Sequence, residues 1–503
     1  MKDSTKDIIW YSTIVLVMVV AYMLFWYMPY MIDDVWYGDI FMRDYNRTGT
    51  FADWWRNVCT NFIFRITDDN GRIPNLFGSA LLTIPNWLMS LILTLCLGAT
   101  LWIGSLIIGR RRASLLALGI WTAGTIFIEP WYDGMYTRMF ALNYLPTTAL
   151  TLALLYFILH DTIRKPWLIV TAGFLGSLWN ESLMFTLLGG IIGITLCFKQ
   201  YRTRNIVLWT AGLVLACVYY FSIPCTYARM DRQFHWYGLY QFWRGALISV
   251  PFYILVISVG LGLMFKATRK RLFTPELAFI FGGALAAWVL FRFYMNCYRV
   301  TWQYICLVSL GMAYIANQLI RSSRLSSAAG LVLLAASIIQ PAFCMPWVLR
   351  LREEEGIMRK LGENYPDSTG MFSPQTTSRY VPLYTLNRIC FNLVYIHGDT
   401  QYRNFIPDFL LDFNPEKCRD VGRGLPVYHY KGEFIIPGEC TSDIGKYDVT
   451  LHYTDGASYY EKACVCGFTN DAGHFQRILI HESFFSAKCR TIENVEIQPA
   501  CEE

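Results

Sequence analysis

Charge is scarce in this sequence. Lys, Arg, Asp and Glu supply only 16% of its 503 residues, against 54% hydrophobic and 16% aromatic, and the mean hydropathy is +0.33. So little charge over such a length excludes an ordinary soluble protein and implies a polytopic membrane protein. No internal repeat and no low-complexity segment occurs, which withdraws support from a transporter built of inverted repeats. No Walker or kinase-type glycine-rich loop is present, so no segment is patterned to cradle a nucleotide triphosphate. The first apolar run has no small-residue cleavage site after it and is too long for a signal peptide, so a signal anchor is expected.

What is present is a series of apolar runs of spanning length, roughly 17 to 25 residues. They run Ile8–Tyr30, Asn86–Ile108, Ala113–Ile128, Leu142–Leu159, Asn205–Ile223, Ala246–Phe265, Pro275–Phe291, Thr301–Ile320 and Leu325–Met345. Pro166–Phe198 is too long for one crossing and is interrupted by Asn180 and Glu181. Read as two helices, it sets five basic clusters on the side of the N-terminus: Arg110-Arg111-Arg112, Arg164-Lys165, Lys199/Arg202/Arg204, Lys266/Arg269/Lys270/Arg271 and Arg321/Arg324. Read as one, it scatters them over both faces, against the positive-inside rule. The expectation is an all-α polytopic membrane domain of about eleven transmembrane helices over residues 1–345, with an outer loop at 31–85, in the plasma (inner) membrane, N-terminus cytoplasmic.

After Met345 the chain turns charged and alternating, as in Tyr447–Tyr453, with turn signals at Asp455-Gly456 and Pro437-Gly438. Residues 346–503 are expected to form an extracytoplasmic β-rich α/β domain. It holds Cys390, Cys418, Cys440, Cys464, Cys466, Cys489 and Cys501, and disulfides are permitted outside the cytoplasm, in pairings that spacing does not decide.

On this topology the unusual chemistry lies at the outer face. Asp33 and Asp34 stand side by side where the first run ends, and adjacent carboxylates raise one another's pKa unless something positive or hydrogen-bonding shares the site. The same face receives Asp68, Asp69, Arg72, Glu129, Asp133, Arg138, Asn180, Glu181, Arg229, Arg232, His235, Arg292 and Arg299. Arginines here run against the positive-inside bias and need a local reason. A lipid phosphate or diphosphate supplies one, since the guanidinium fork matches phosphate oxygens; pairing with nearby acids or snorkelling to headgroups supplies another. Phe51–Phe64 carries Trp54, Trp55, Val58, Phe62 and Phe64 near helical spacing, as an interfacial helix does.

A first helix, an acidic pair at its outer end (Asp33-Asp34, followed by Trp36 and Tyr37), a long outer loop with an interfacial helix, many further spans and an extracytoplasmic C-terminal domain resemble the GT-C class of membrane glycosyltransferases. Families of that class, among them the protein O-mannosyltransferases and the lipid A aminoarabinose transferases, carry Asp-Glu or Asp-Asp in the first outer loop. The likeness covers roughly the membrane part. It implies inverting transfer of a sugar from a polyprenyl-phosphate donor to a glycan, lipid or protein acceptor at the outer face, among membrane lipids and with no nucleic acid. It further implies Asp33 as general base and Asp34 as its partner or as ligand of a divalent Mg or Mn ion. Phosphate contacts are drawn from Arg138, Arg229, Arg232, Arg292 and Arg299, with Arg72, Glu181 and Asp133 behind them. A lipid-linked glycan polymerase or ligase, and a transporter or flippase with Glu181 as its proton-coupling acid, remain as alternatives.

Overall fold

Apolar runs opened by proline or a capping side chain become helices in this protein, for which the structure is a computed structural model. It describes residues 3–28, 34, 37–38, 41–69, 71–109, 113–126, 138–227, 250–294, 298–320, 323–346, 348–349, 352, 371–373, 405–407, 413–430, 433–438, 446–454, 456, 458–479 and 492–499. By contacts the chain divides into two compact units, Met1–Val348 and Leu349–Glu503.

The first unit is helical: α1 (Asp3–Tyr27), α2 (Phe51–Phe64), α3 (Asn86–Ile108), α4 (Leu115–Ile126), α5 (Arg138–His160), α6 (Pro166–Ser177), α7 (Glu181–Cys197), α8 (Arg204–Ser222), α9 (Val250–Met264), α10 (Pro275–Tyr294), α11 (Tyr298–Leu319) and α12 (Arg324–Phe343), with shorter helical turns between them. Proline opens α6 at its first position, where no N–H is needed. Side-chain oxygens of Thr50, Asn180, Thr203 and Ser323 cap the first turns of α2, α7, α8 and α12. Among the described residues, α1, α3, α5, α8 and α12 are long and apolar enough to cross a membrane, and the bent pair 266–272 and 275–290 makes a sixth if taken as one span. The helices α4, α6, α7 and α9 are apolar but shorter. Pro166–Phe198 is two helices, broken at Leu178–Asn180.

Polar ties fix which helix ends lie together. Tyr201 donates to the Leu159 carbonyl at 3.2 Å and Asn205 to Asp161 at 2.7 Å. The rings of Phe198 and Phe273 lie 4.8 Å apart, Tyr314 donates to Glu276 at 3.3 Å, and Asn317 bonds both Ser114 N–H and the Ile108 carbonyl. The basic residues flanking these contacts, Arg164, Lys165, Lys199, Arg202, Arg204 and Lys266–Arg271, therefore gather at one end of the helices. The opposite end carries Asn86, Arg138 and Glu181.

Among the described residues, α7 and α10 make the most extensive helix–helix contact. A Cβ on Gly189 would lie 2.5 Å from the Gly282 carbonyl oxygen, and one on Gly282 would lie 2.4 Å from that of Gly189. Small residues let two backbones touch where no solvent drives association. Gly282→Val is expected to force the helices apart and cost roughly 1–3 kcal/mol or more, read as a lowered melting temperature of the detergent-purified protein. Gly260→Val, where nothing lies within 4 Å, is the control and should melt like the parent.

The second unit is built on an antiparallel sheet: β3 (Arg419–Asp420), β4 (Tyr428–Tyr430), β5 (Glu433–Pro437), β6 (Lys446–Tyr453), β7 (Ser458–Asn470), β8 (Gly473–Leu479) and β9 (Ile492–Pro499), in spatial order β3-β4-β5-β8-β7-β6-β9. A separate parallel pair joins β1 (Met371–Ser373) to β2 (Phe405–Pro407). Alternation along β6 buries Val449, Leu451 and Tyr453 with Phe434, Ile436, Ile478, Val495 and Ile497. Gly438 and Gly456, at φ +132° and +80°, sit at the two turn signals and take conformations that other residues avoid. The outer edge of β9 does not stay open: Val495 N–H donates to Val421 O at 2.7 Å and Arg423 N–H to Val495 O at 3.0 Å. The chain just after β3 thus closes the sheet on its last strand. Cys464 and Cys466 lie in β7, Cys418 is a free thiol, and Cys390, Cys440, Cys489 and Cys501 lie outside the described residues.

Candidate functional site

Asp34 is fully buried, and its carboxylate closes the start of α5 from outside that helix. Oδ2 accepts from the Arg138 N–H at 3.0 Å and Oδ1 from the Met139 N–H at 2.8 Å. The first N–H groups of a helix have no partner within it, and an anion is favoured there by the helix dipole. Beside the two roles expected for Asp34, partner of Asp33 and metal ligand, the structure shows a third, the capping of α5. Each of its oxygens accepts one backbone N–H, and among the described residues no group of three or more His, Cys, Asp and Glu side chains converges.

Arg138, at the first position of α5, is itself buried. Its Nη2 donates to the Met28 carbonyl at 3.0 Å and to Asn86 Oδ1 at 2.9 Å, and Asn86 Nδ2 donates to the Trp26 carbonyl at 2.9 Å. One guanidinium thereby ties the end of α1 to the starts of α3 and α5. A charge-assisted bond of this kind is worth about twice a neutral one. Arg138, expected as a phosphate contact, spends these donors on the scaffold that carries Asp34.

Arg72 and Glu181 form a buried, two-pronged ion pair, Nε donating to Oε2 at 2.6 Å and Nη2 to Oε1. Their side chains are 6% and 17% exposed. Around the pair, Ile73 N–H donates to the Leu178 carbonyl at 3.0 Å and Tyr219 to the Gly71 carbonyl at 3.2 Å. The second-tier candidates Arg72 and Glu181 are thus brought together, by acid pairing rather than by an exposed phosphate fork.

A third buried arginine, Arg65, is not among the residues the sequence singles out. Arg65, just past α2, stands with its guanidinium carbon 4.0 Å from the centroid of the Tyr37 ring, and its Nε donates to Asn61 Oδ1 at 3.4 Å. Asn61 in turn donates to the carbonyls of Asn75 and Leu76, and Asn143 of α5 donates to Asn75 Oδ1 at 2.8 Å. The signal was available: Asn57, Asn61 and Arg65 recur every four residues on one face of α2, and Asn57 and Asn61 are buried while Phe51, Trp55 and Ile63 are exposed. That is amphipathicity turned inside out, as suits a helix against lipid.

Asp33, Trp36, Glu129, Asp133, Arg229, Arg232 and His235 lie outside the described residues. Arg292 falls in α10 and Arg299 in α11, and their side chains are likewise outside them. Asp68 is exposed and accepts from the Thr67 hydroxyl. The site as described is a layer at one helix end in which Asp34, Arg65, Arg72 and Arg138 are buried among carboxamides, and Arg72 is paired with the half-buried Glu181. Three guanidinium and two carboxylate groups thus share this layer, with Arg138 bonded to the scaffold, Arg72 to Glu181, and Arg65 set against Asn61 and the Tyr37 ring. Searches against protein-family models, curated proteins and solved structures return no match to this chain.

Proposed function

We propose that the protein is a membrane glycosyltransferase of GT-C type, which crosses the membrane about eleven times and moves a sugar from a polyprenyl-phosphate donor to an acceptor at the outer face. The observation that carries the reading is the capping of α5 by Asp34. It supplies a physical division between two adjacent acids: Asp34 is held by backbone donors, and Asp33, next in the chain, is the acid left for chemistry.

In this reading Asp33 takes the proton of the acceptor hydroxyl as that oxygen attacks the anomeric carbon. The bond from the anomeric carbon to the phosphate oxygen breaks, and the polyprenyl phosphate leaves with the electron pair. A carboxylate near the ring also steadies the oxocarbenium character that develops. The departing negative charge is met by Arg229, Arg232, Arg292 and Arg299, while Arg138 contributes its field from the scaffold. The basic helix ends opposite this layer support a cytoplasmic assignment for that rim, and with it an outer assignment for the site.

Cells with and without the gene, compared by mass spectrometry of extracted lipids, test the reading. The deleted strain should accumulate a polyprenyl-phosphate sugar several-fold, and the parent gene should reverse this where the Asp33→Asn form does not. An unchanged lipid-linked sugar pool would remove the proposal.

A further inference from the structure

Between α9 and α10 the chain forms a short helix, Lys266–Leu272, bent 79° from the start of α10. Its inner face is fixed to α9: Leu272 is buried against Gly262, and Thr268, four residues back, donates its hydroxyl to the Gly262 carbonyl. Residues four apart share a helix face. Lys266, Arg269, Lys270 and Arg271 are left to the outside, and all four are exposed.

A second basic strip lies beside the first. The rings of Phe198 and Phe273, 4.8 Å apart, join the end of α7 to the end of this short helix, which brings the exposed Lys199 and Arg202 to the same rim. Arg202 is anchored there by its Nε, which donates to the Thr195 carbonyl at 3.0 Å. Among the described residues none of these cations forms an ion pair. The acids described near this rim, Asp161 and Glu276, accept from Asn205 and Tyr314 instead. Bulky apolar side chains flank the charge: Met264, Phe265 and Phe273 are 76%, 65% and 50% exposed. A basic helix with such flanks, lying across the direction of α10, has the make-up of a segment seated among headgroups, its apolar groups at the acyl boundary and its cations among the phosphates.

We propose that the helix Lys266–Leu272, with Lys199 and Arg202 beside it, is a docking face for the headgroups of anionic phospholipids. Charge complementarity decides the partner. Cations of one sign at a hydrocarbon boundary favour lipids of net negative charge over zwitterionic ones, whose ammonium cancels the field of the phosphate. The inference does not depend on the reaction assigned to the opposite layer, where Arg72 and Arg138 are engaged within the protein.

For the test, full-length protein in detergent is titrated with phosphatidylglycerol or with phosphatidylcholine, and bound lipid is counted by native mass spectrometry. Wild type should bind phosphatidylglycerol about tenfold more tightly, each cation near an anionic surface counting about fivefold at most. The margin should shrink as salt rises, because exposed charges are screened. The variant Lys266→Gln/Arg269→Gln/Lys270→Gln/Arg271→Gln changes only exposed side chains, so it should melt like wild type without added lipid. It should bring the two lipids within about threefold of each other. Arg269→Lys/Arg271→Lys keeps the charge and should keep the preference. Equal binding of the two lipids by wild type overturns the inference and leaves these cations to water or to an acidic protein. A preference indifferent to salt, or one undiminished in the glutamine variant, overturns it as well, and the salt series on wild type decides even where a variant fails to fold.

Discussion

Asp33→Asn should lower the turnover of the purified protein by roughly 10² to 10⁴, the contribution of a positioned acid–base group, with expression and donor binding close to wild type. Asn keeps the size of the side chain and most of its hydrogen bonds and loses only the capacity to take a proton. Asp34→Asn should behave differently for a reason visible in its two bonds. One amide oxygen can still accept from the start of α5, but the NH₂ would point a donor at the second N–H. A buried N–H left unmade costs about 1–3 kcal/mol, so this variant should melt lower while its surviving folded fraction turns over at a rate closer to wild type. Turnover and melting temperature measured on both variants decide the matter. Equal and mild effects would make the pair an anchor at the membrane rim and move the search for the base to Glu181 or Asp133.

The second large effect belongs to the Arg72–Glu181 pair. Removing one partner leaves the other charge buried and uncompensated, at about 3–5 kcal/mol, whereas replacing both with apolar groups of similar volume is often near neutral. Arg72→Met and Glu181→Leu should each lower the unfolding midpoint sharply in denaturant titrations of the purified protein. The double variant should recover more than half of either loss. Additive losses in the double variant would show that the pair does not act as a unit.

Much of the helical part is legible in the chain because hydropathy is a local signal. The run Asn86–Ile108 coincides with α3 and Phe51–Phe64 with α2, and Asn180 announces the break before α7 because a polar pair inside an apolar stretch has to be met by a cap. The site is less legible, since its bonds join residues far apart in sequence. Nothing near Arg138 tells that Met28 and Asn86 will take its donors, or that Asp34 will cap its helix. Arg65 is hard to read from the sequence because the aromatic residues of α2 dominate its pattern, while the Asn57/Asn61 stripe that leads to Arg65 is polar and looks like a solvated face. The strand Tyr447–Tyr453 was readable from alternation, but the union of residues 421–423 with β9 was not, since pairing between distant strands leaves no mark in either one alone.

That union has a consequence for the order in which the second unit can be completed. The chain just after β3 and the last strand, β9, share hydrogen bonds, so a chain made from N- to C-terminus holds Val421–Arg423 without that partner until Val495 arrives. Pairings between distant segments form slowly, because the chain between them must be ordered first. Through that interval β3 to β5 offer unsatisfied edges of the kind that invite pairing with other chains. Folding of this unit therefore includes a vulnerable period whose length is set by the arrival of its final strand.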